Sequence, residues 1–598
     1  PAERSHSRVS SAESLSLDGF WMEVERIQQR DELREEDGSG GEGRPPEEGE
    51  TESQWLQDTG LSDLLGGLGL DSHHRGLLST LTQTQVAAVR RRLDIYARSA
   101  RRRPKAPVRD VRDIFGGFKA GATVSPGCRQ GCPLWTSEKK RKGQELRSLM
   151  GFSPLHPSAE PEGPQAQAGM EHAFHMDSAY SEQAAANRIC WNTGSKESFP
   201  KFRIPKGRLG LTRIGDLSSQ DMKKIAALAL IELTALCDVL GLDLKRSKAG
   251  KQKATETRLF GVPLEALLEA DRKALPSTQV PLVLQALLSC LEKRGLDMEG
   301  ILRVPGSQAR VKGLEQKLER DFYTGLFSWD EVHHNDASDL LKRFIRELPA
   351  PLLTAEYLPA FAVVPNIPDL RQRLQALHLL ILILPEPNRN ALKALLEFLR
   401  KVVAQEQSNK MTLWNVSTVM APNLFLHRGQ PPKLLKGREK QLAEGAAEVV
   451  QMMVHYQDLL WMVSSFLVAQ VRNLNDSSSR RPQLCDAGLK TWLRRSHADR
   501  DKAGDGPEAT PTVAKIQVAW LIKDTLEVPL TPSTKVAHVL RQFTGRLSPG
   551  SRLRKSADIV LCEVGGNLSE HRLDPDTYLL DLYRANPYGE WVIKQSPT

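Results

Sequence analysis

From Phe260 to Phe466 the chain repeats one pattern: apolar residues at spacings of three and four, each run stopped by proline or glycine. Period-two alternation is missing throughout this stretch. A chain with that pattern has to bury its apolar stripes helix against helix, and roughly two hundred residues suffice to close such a core. The spacing predicts helices over 279–294, 307–319, 336–348, 369–384, 388–404, 411–420 and 440–466, within an all-helical domain at 261–466.

The flanks differ in composition. Residues 1–76 read as a disordered, acidic linker, serine-rich first and then charged and glycine-rich from Asp31 to Glu50. Gly38-Ser39-Gly40-Gly41-Glu42-Gly43 spells G-x-G-x-x-G, but no strand precedes it and no helix follows, so the dinucleotide reading fails. Residues 77–200 read as mostly disordered with one basic amphipathic helix. There Val86, Val89, Leu93 and Tyr96 recur at helical spacing, with Arg90, Arg91, Arg92 and Arg98 on the other face. That face is either solvated or a contact for a membrane surface or partner helix. Residues 201–260 read as a helical extension and basic linker. Ser218 and Asp221 start a helix through Ile225, Leu228, Ile231 and Leu236, and Gly241 ends it.

After a linker at 467–511, residues 512–596 change character. Their order is strand, strand, helix, strand, strand, short helix, strand, which is that of an α+β ubiquitin-like β-grasp and also resembles Ras-associating domains. The fold class is therefore mainly α, with a disordered N-terminal region and a C-terminal α+β domain.

Several function classes drop out. The apolar runs Ile225–Leu236 and Leu374–Leu384 fall far short of the about 18–20 residues that span a bilayer. The opening residues Pro1 to His6 carry charge and serine rather than an apolar signal region. Seven scattered cysteines make no disulfide framework, and Cys128 with Cys132 lacks the second pair a zinc site needs, so they read as free thiols. A reducing, cytoplasmic location is expected. The net charge of +9 permits contact with anionic surfaces, but no nucleic-acid recognition motif accompanies it. Lys139-Lys140-Arg141-Lys142 reads as exposed loop.

Three local patterns remain. In Glu299-Gly300-Ile301-Leu302-Arg303-Val304-Pro305-Gly306-Ser307, two glycines bracket a turn that Pro305 stiffens, so Arg303 is expected to project from a constrained loop. In Asp336 to Pro349, Asp336 is expected to cap a helix that Pro349 ends. Its apolar face is Leu340, Leu341, Phe344, Ile345 and Leu348, with Lys342 and Arg346 one turn apart on the polar side. Two cations so placed repel unless an anion sits between them or solvent screens them. On the solvent reading, replacing either with alanine changes stability by no more than about 0.5 kcal/mol. In Met411 to Leu424, Pro422 is expected to end the helix, and Asn415 and Asn423 are polar groups in an apolar stretch that need specific hydrogen bonds.

Taken together in this order, the three patterns resemble the RhoGAP domain, with its arginine loop, its L-K-x-F-[IL]-R-E-L-P helix and its M-x-x-x-N…[AG]-P-N-L segment. The resemblance covers about a third of the chain. Leu302 stands where many members carry an aromatic, and Pro305 replaces a common serine. The resemblance implies a GTPase-activating protein that is not itself an enzyme. Arg303 would be its catalytic finger, and Lys342, Arg346, Asn415 and Asn423 its GTPase interface, with the main asparagine left open. It implies a Rho-family partner, RhoA favoured, and no cofactor of its own, because GTP and magnesium belong to the GTPase. The alternative is a catalytically inactive Rho-binding scaffold.

Overall fold

The computed structural model describes residues 16–32, 50–61, 78–102, 172–186, 199–242, 259–426, 439–479, 513–519, 525–546 and 559–596. The Gly38–Gly43 run, Cys128, Cys132 and Lys139–Lys142 lie outside them.

The helices labelled here are α1 (Asp18–Glu32), α2 (Glu50–Asp58), α3 (Gln83–Arg102), α4 (Tyr180–Ala186), α5 (Ser219–Leu240), α6 (Leu264–Ala274), α7 (Leu282–Arg294), α8 (Gln308–Asp321), α9 (His334–Glu347), α10 (Leu358–Val363), α11 (Leu370–Ile383), α12 (Glu386–Ala404), α13 (Leu413–Phe425), α14 (Glu439–His455), α15 (Ser465–Ser479), α16 (Val536–Arg546) and α17 (Leu579–Ala585). One continuous apolar core joins α1 through α15, helix α5 included. The Ser218 side chain accepts from the Asp221 N–H at one end of α5, and Gly241, at φ 68°, closes the other. Both caps are as the sequence indicates. Nearly every residue between Ile225 and Cys237 is buried, against α4 on one side and α11 on another.

Four expectations need correcting. The linker expected at 1–76 contains α1 and α2, and both pack on the core: Trp55 and Leu56 of α2 are fully buried, and Trp55 Nε1 donates to Thr234 Oγ1 at 3.0 Å. A nine-residue helix is too short to display a period, and tertiary packing rather than propensity supports it. The single helix expected at 440–466 is interrupted. After α14 the backbone leaves the helical ladder near Tyr456 and Trp461, and Met462–Val463 pairs antiparallel with Thr212–Arg213. The chain then enters α15, which runs into the expected 467–511 linker. The stretch Leu459–Val463 across the break is wholly apolar, so no change of period marks it in the sequence. Pro422 does not end its helix either: α13 continues to Phe425, the proline's lost hydrogen bond and ring–carbonyl conflict being offset in a buried segment where Leu426 N–H still reaches Pro422 O. Finally, Asp336 is not the cap of α9, a role His333 takes by accepting from Asn335 N–H.

On α3, Val89 is buried while Arg90, Arg91 and Arg98 are exposed, as the spacing indicates. Arg92 is half-buried beside Glu52, and Arg91 Nη1 sits 2.8 Å from Asp238. Part of the basic face is therefore spent on neighbouring helices.

The C-terminal strands are β1 (Val513–Val518), β2 (Thr525–Pro529), β3 (Ile559–Gly565), β4 (Leu568–Arg572) and β5 (Glu590–Gln595), in the sheet order β2-β1-β5-β3-β4. Strands β1 and β5 run parallel and the other pairs antiparallel, which is the β-grasp arrangement. Gly565 and Gly566, at φ 77° and 70°, make the β3–β4 turn that L-residues with side chains resist. A separate core includes Ile516, Val539, Leu561 and Ile593.

This unit docks on α5 and α15 through a buried fork. Arg472 of α15 gives Nη1 and Nη2 to the two oxygens of Glu563, at 2.6 and 2.8 Å. Burial alone would raise the Glu563 carboxyl, but hydrogen bonds from Arg472 and His571 hold it down at about 2. A depressed carboxyl contributes stability that is complete above its ordinary value near 4.5 and is lost as pH falls towards 2. Glu563→Gln is therefore expected to cost on the order of 3 kcal/mol near neutrality and progressively less below pH 4. Thermal melts of both proteins from pH 7 to pH 3 measure this. A pH-independent gap would mean that shape, rather than charge, carries the contact.

Candidate functional site

The arginine loop joins α7 to α8, and its backbone is fixed from several sides. Gly300 takes φ 71° and donates its N–H to Asn409 O at 2.9 Å. Arg303 and Val304 both return N–H bonds to Gly300 O. Leu302 holds φ 69°, a costly conformation for a residue with a branched side chain, and it persists because that side chain is completely buried. Inverting the backbone at Leu302 buries one residue and turns the next one outward. Arg303 is exposed, and among the described residues its guanidinium has no hydrogen-bond partner.

The far side of the loop rests on α9. A Cβ on Gly306 would stand 2.4 Å from Asp336 Oδ1 and 2.8 Å from Asp336 Cα, so only glycine fits there. Gly306 N–H donates to Asp339 at 3.0 Å and Ser307 N–H to Asp336 at 2.8 Å, while Arg310 Nε reaches the other Asp336 oxygen at 2.7 Å. Asp336 thus serves the start of α8 rather than the start of its own helix.

Lys342 is 1% exposed, which overturns the expectation that solvent screens it. Its ammonium is shared among Leu302 O at 3.1 Å, Asp339 Oδ1 at 3.1 Å and Glu23 Oε2 at 2.9 Å. Two of these are hydrogen bonds, to Glu23 and Leu302 O, and Asp339 adds an ion-pair contact. Arg346 Nη1 lies 2.9 Å from Glu23 Oε1 and 2.6 Å from Asn423 Oδ1. The anion between the two cations is therefore Glu23, from α1. Asn423 is buried and also donates to Val419 O, so it belongs to this cluster. Asn415 does not. It is half-buried in the first turn of α13, its N–H bound to Thr412 Oγ1 and its amide 3.5 Å from Lys410 O.

Between α1, the loop and the start of α13 lies an open cleft of about 480 Å³, lined by Met22, Arg26, Glu299, Gly300, Arg303, Val304, Pro305, Lys410 and Met411. Arg26, Arg303 and Lys410 give it three cations against one carboxylate, a balance suited to an anionic ligand. No cluster of metal-ligating side chains occurs among the described residues.

Sequence reasoning missed Glu23, Arg26, Asp339 and Asn409. The last is buried and bonds Leu296 O, Val402 O and Met411 N–H, which sets the carbonyl that receives Gly300. A signal for α1 did exist: Leu17, Phe20, Val24 and Ile27 recur at spacings of three and four inside a segment whose composition reads as linker.

Comparison with known proteins adds to this geometry. Residues 281–429 match the RhoGAP domain family, and residues 513–596 match the family described as RHG40-like, C-terminal ubiquitin-like domain. Human Rho GTPase-activating protein 40 is 76% identical over an alignment covering 98% of this chain and 89% of that protein. Human Rho GTPase-activating protein 18 is 41% identical, covering all of this chain and 91% of its own length, and human Rho GTPase-activating protein 28 is 36% identical, covering 99% and 91%. With the arginine loop, its α9 supports and both domain families in one chain, this protein belongs to the RhoGAP family, in the branch that combines the helical domain with a C-terminal ubiquitin-like domain.

Proposed function

We propose that this chain accelerates GTP hydrolysis on a Rho-family GTPase, RhoA by preference, and so returns it to the GDP-bound state in the cytoplasm. Arg303 is the finger. The observation that carries this reading is an exposed guanidinium, without a hydrogen-bond partner among the described residues, on a loop whose backbone is fixed by α9 and Asn409. Charge builds on the γ-phosphate and leaving oxygens during transfer to water, and a guanidinium brought in trans stabilises it without reorganising at the moment of reaction. Lys342 holds the finger loop through Leu302 O. Together with Arg346, Asn423 and Asn415 it also meets acidic or polar groups of the GTPase switch regions. The chain carries no G-x-x-x-x-G-K-[ST] loop, so nucleotide, magnesium and the water-positioning group come with the GTPase.

Single-turnover GTP hydrolysis on purified Rho, Rac, Cdc-type and Ras proteins tests this directly. Stimulation confined to Rho-family members, greatest with RhoA, is the expected result. Binding to a Rho protein without stimulation of any of them would replace this reading with the inactive scaffold.

A further inference from the structure

Helix α1 lies on the face that holds three of the five site residues. Leu17, Phe20 and Val24 are buried against the helical core, with α13 as the main neighbour. Gly19 permits the close approach, because a Cβ there would sit 3.2 Å from the side chains of Thr418 and Val419. At the N-terminal end of α1, Trp414 Nε1 donates to Ser16 O at 2.9 Å. In its middle, Glu23 is 2% exposed and engages Lys342 and Arg346. One turn on, Arg26 Nη1 reaches Arg303 O at 3.3 Å.

We propose that α1 is an intramolecular cover of the GTPase-docking face. Glu23 stands where an acidic or polar group of the GTPase stands in the complex, and docking requires α1 to leave. This rests on the reading of Lys342, Arg346 and Asn423 as docking residues. In the present arrangement Lys342 and Asn423 are buried, and Arg346 is already bound to both Glu23 and Asn423. A partner arriving over α1 finds Arg303 exposed but not the residues that would hold it. The cover suits exchange. Three buried apolar side chains must offset the ordering of a fifteen-residue helix, and a buried ion pair adds little net stability because both charges were desolvated to make it. A GTPase carboxylate could take over the same two cations once Glu23 withdraws. The covered state lowers apparent affinity by the fraction of molecules that are open.

A reversible lock tests this in the full chain. A Cβ built on Gly19 lies 3.9 Å from Thr418 Cβ, inside the about 3.5–4.5 Å that a disulfide bridges. Gly19→Cys with Thr418→Cys, oxidised, is expected to bind RhoA carrying a non-hydrolysable GTP analogue at least about tenfold more weakly than the same protein after reduction. Phe20→Asp, which removes an apolar anchor of α1, should bind more tightly than wild type. Equal binding by the oxidised and reduced forms would overturn the cover. So would an absence of binding in both, because the face would then not be a docking face at all. Binding that responds to reduction without any stimulated hydrolysis leaves the cover standing and removes only the finger.

Discussion

Arg303→Ala is expected to lower the maximal stimulated rate of GTP hydrolysis by about a thousandfold or more, equivalent to at least about 4 kcal/mol of transition-state stabilisation. The structure makes this a clean substitution. The Arg303 side chain is exposed and has no hydrogen-bond partner among the described residues, and the loop is held by its backbone and by Leu302. Folding should therefore be unaffected, and a surface arginine removed elsewhere should do nothing comparable. Arg303→Lys keeps the charge but loses the planar fork of donors, so it should recover only a small part of the rate. Measurement at saturating activator separates catalysis from docking. Aluminium fluoride, which mimics the transferring phosphoryl group, should promote complex formation with GDP-bound GTPase more for wild type than for Arg303→Ala. Near-normal rates for Arg303→Ala would end the finger assignment.

How far the sequence could be read depended on length and locality. Helices of thirteen residues or more with a sharp polar face, such as α9 and α12, announce themselves, and so do local caps such as Ser218 and Gly241. The β-grasp is legible from element order, and the apolar residues Ile559, Leu561 and Val564 read as a buried central strand, yet that strand, β3, lies second from the sheet edge and Val564 is only half-buried. Pairing order comes from contacts far apart in the chain, which alternation cannot encode. The site divided the same way. Arg303 was visible because two glycines and a proline constrain it locally. The partner of Lys342 and Arg346 was not, since Glu23 lies 319 and 323 residues away. Periodicity states which side chains avoid the core of their own helix. It is silent on whether another helix then covers them.

That omission reverses a stability expectation. Lys342→Ala is expected to destabilise the protein by about 2–4 kcal/mol, well beyond the about 0.5 kcal/mol of a surface change. The substitution strands two buried carboxylates and a carbonyl. Asp339 keeps the Gly306 N–H, which limits the loss on that side. Glu23 keeps Arg346, and α1 can lift to rehydrate it, so part of the cost should appear as release of α1 rather than as unfolding of the core. Arg346→Ala should cost less, since Arg346 is less deeply buried and Glu23 would still have Lys342. Urea titration followed by tryptophan fluorescence suits the question, because Trp414 reports on α1 through its bond to Ser16 O. Lys342→Met, which retains the apolar stem, combined with Glu23→Gln forms a cycle that isolates the pair. If the Lys342–Glu23 contact dominates, the double variant should lose markedly less than the sum of the singles. Strict additivity would instead assign the cost to Leu302 O and Asp339, making Lys342 a support of the finger loop with no energetic tie to α1.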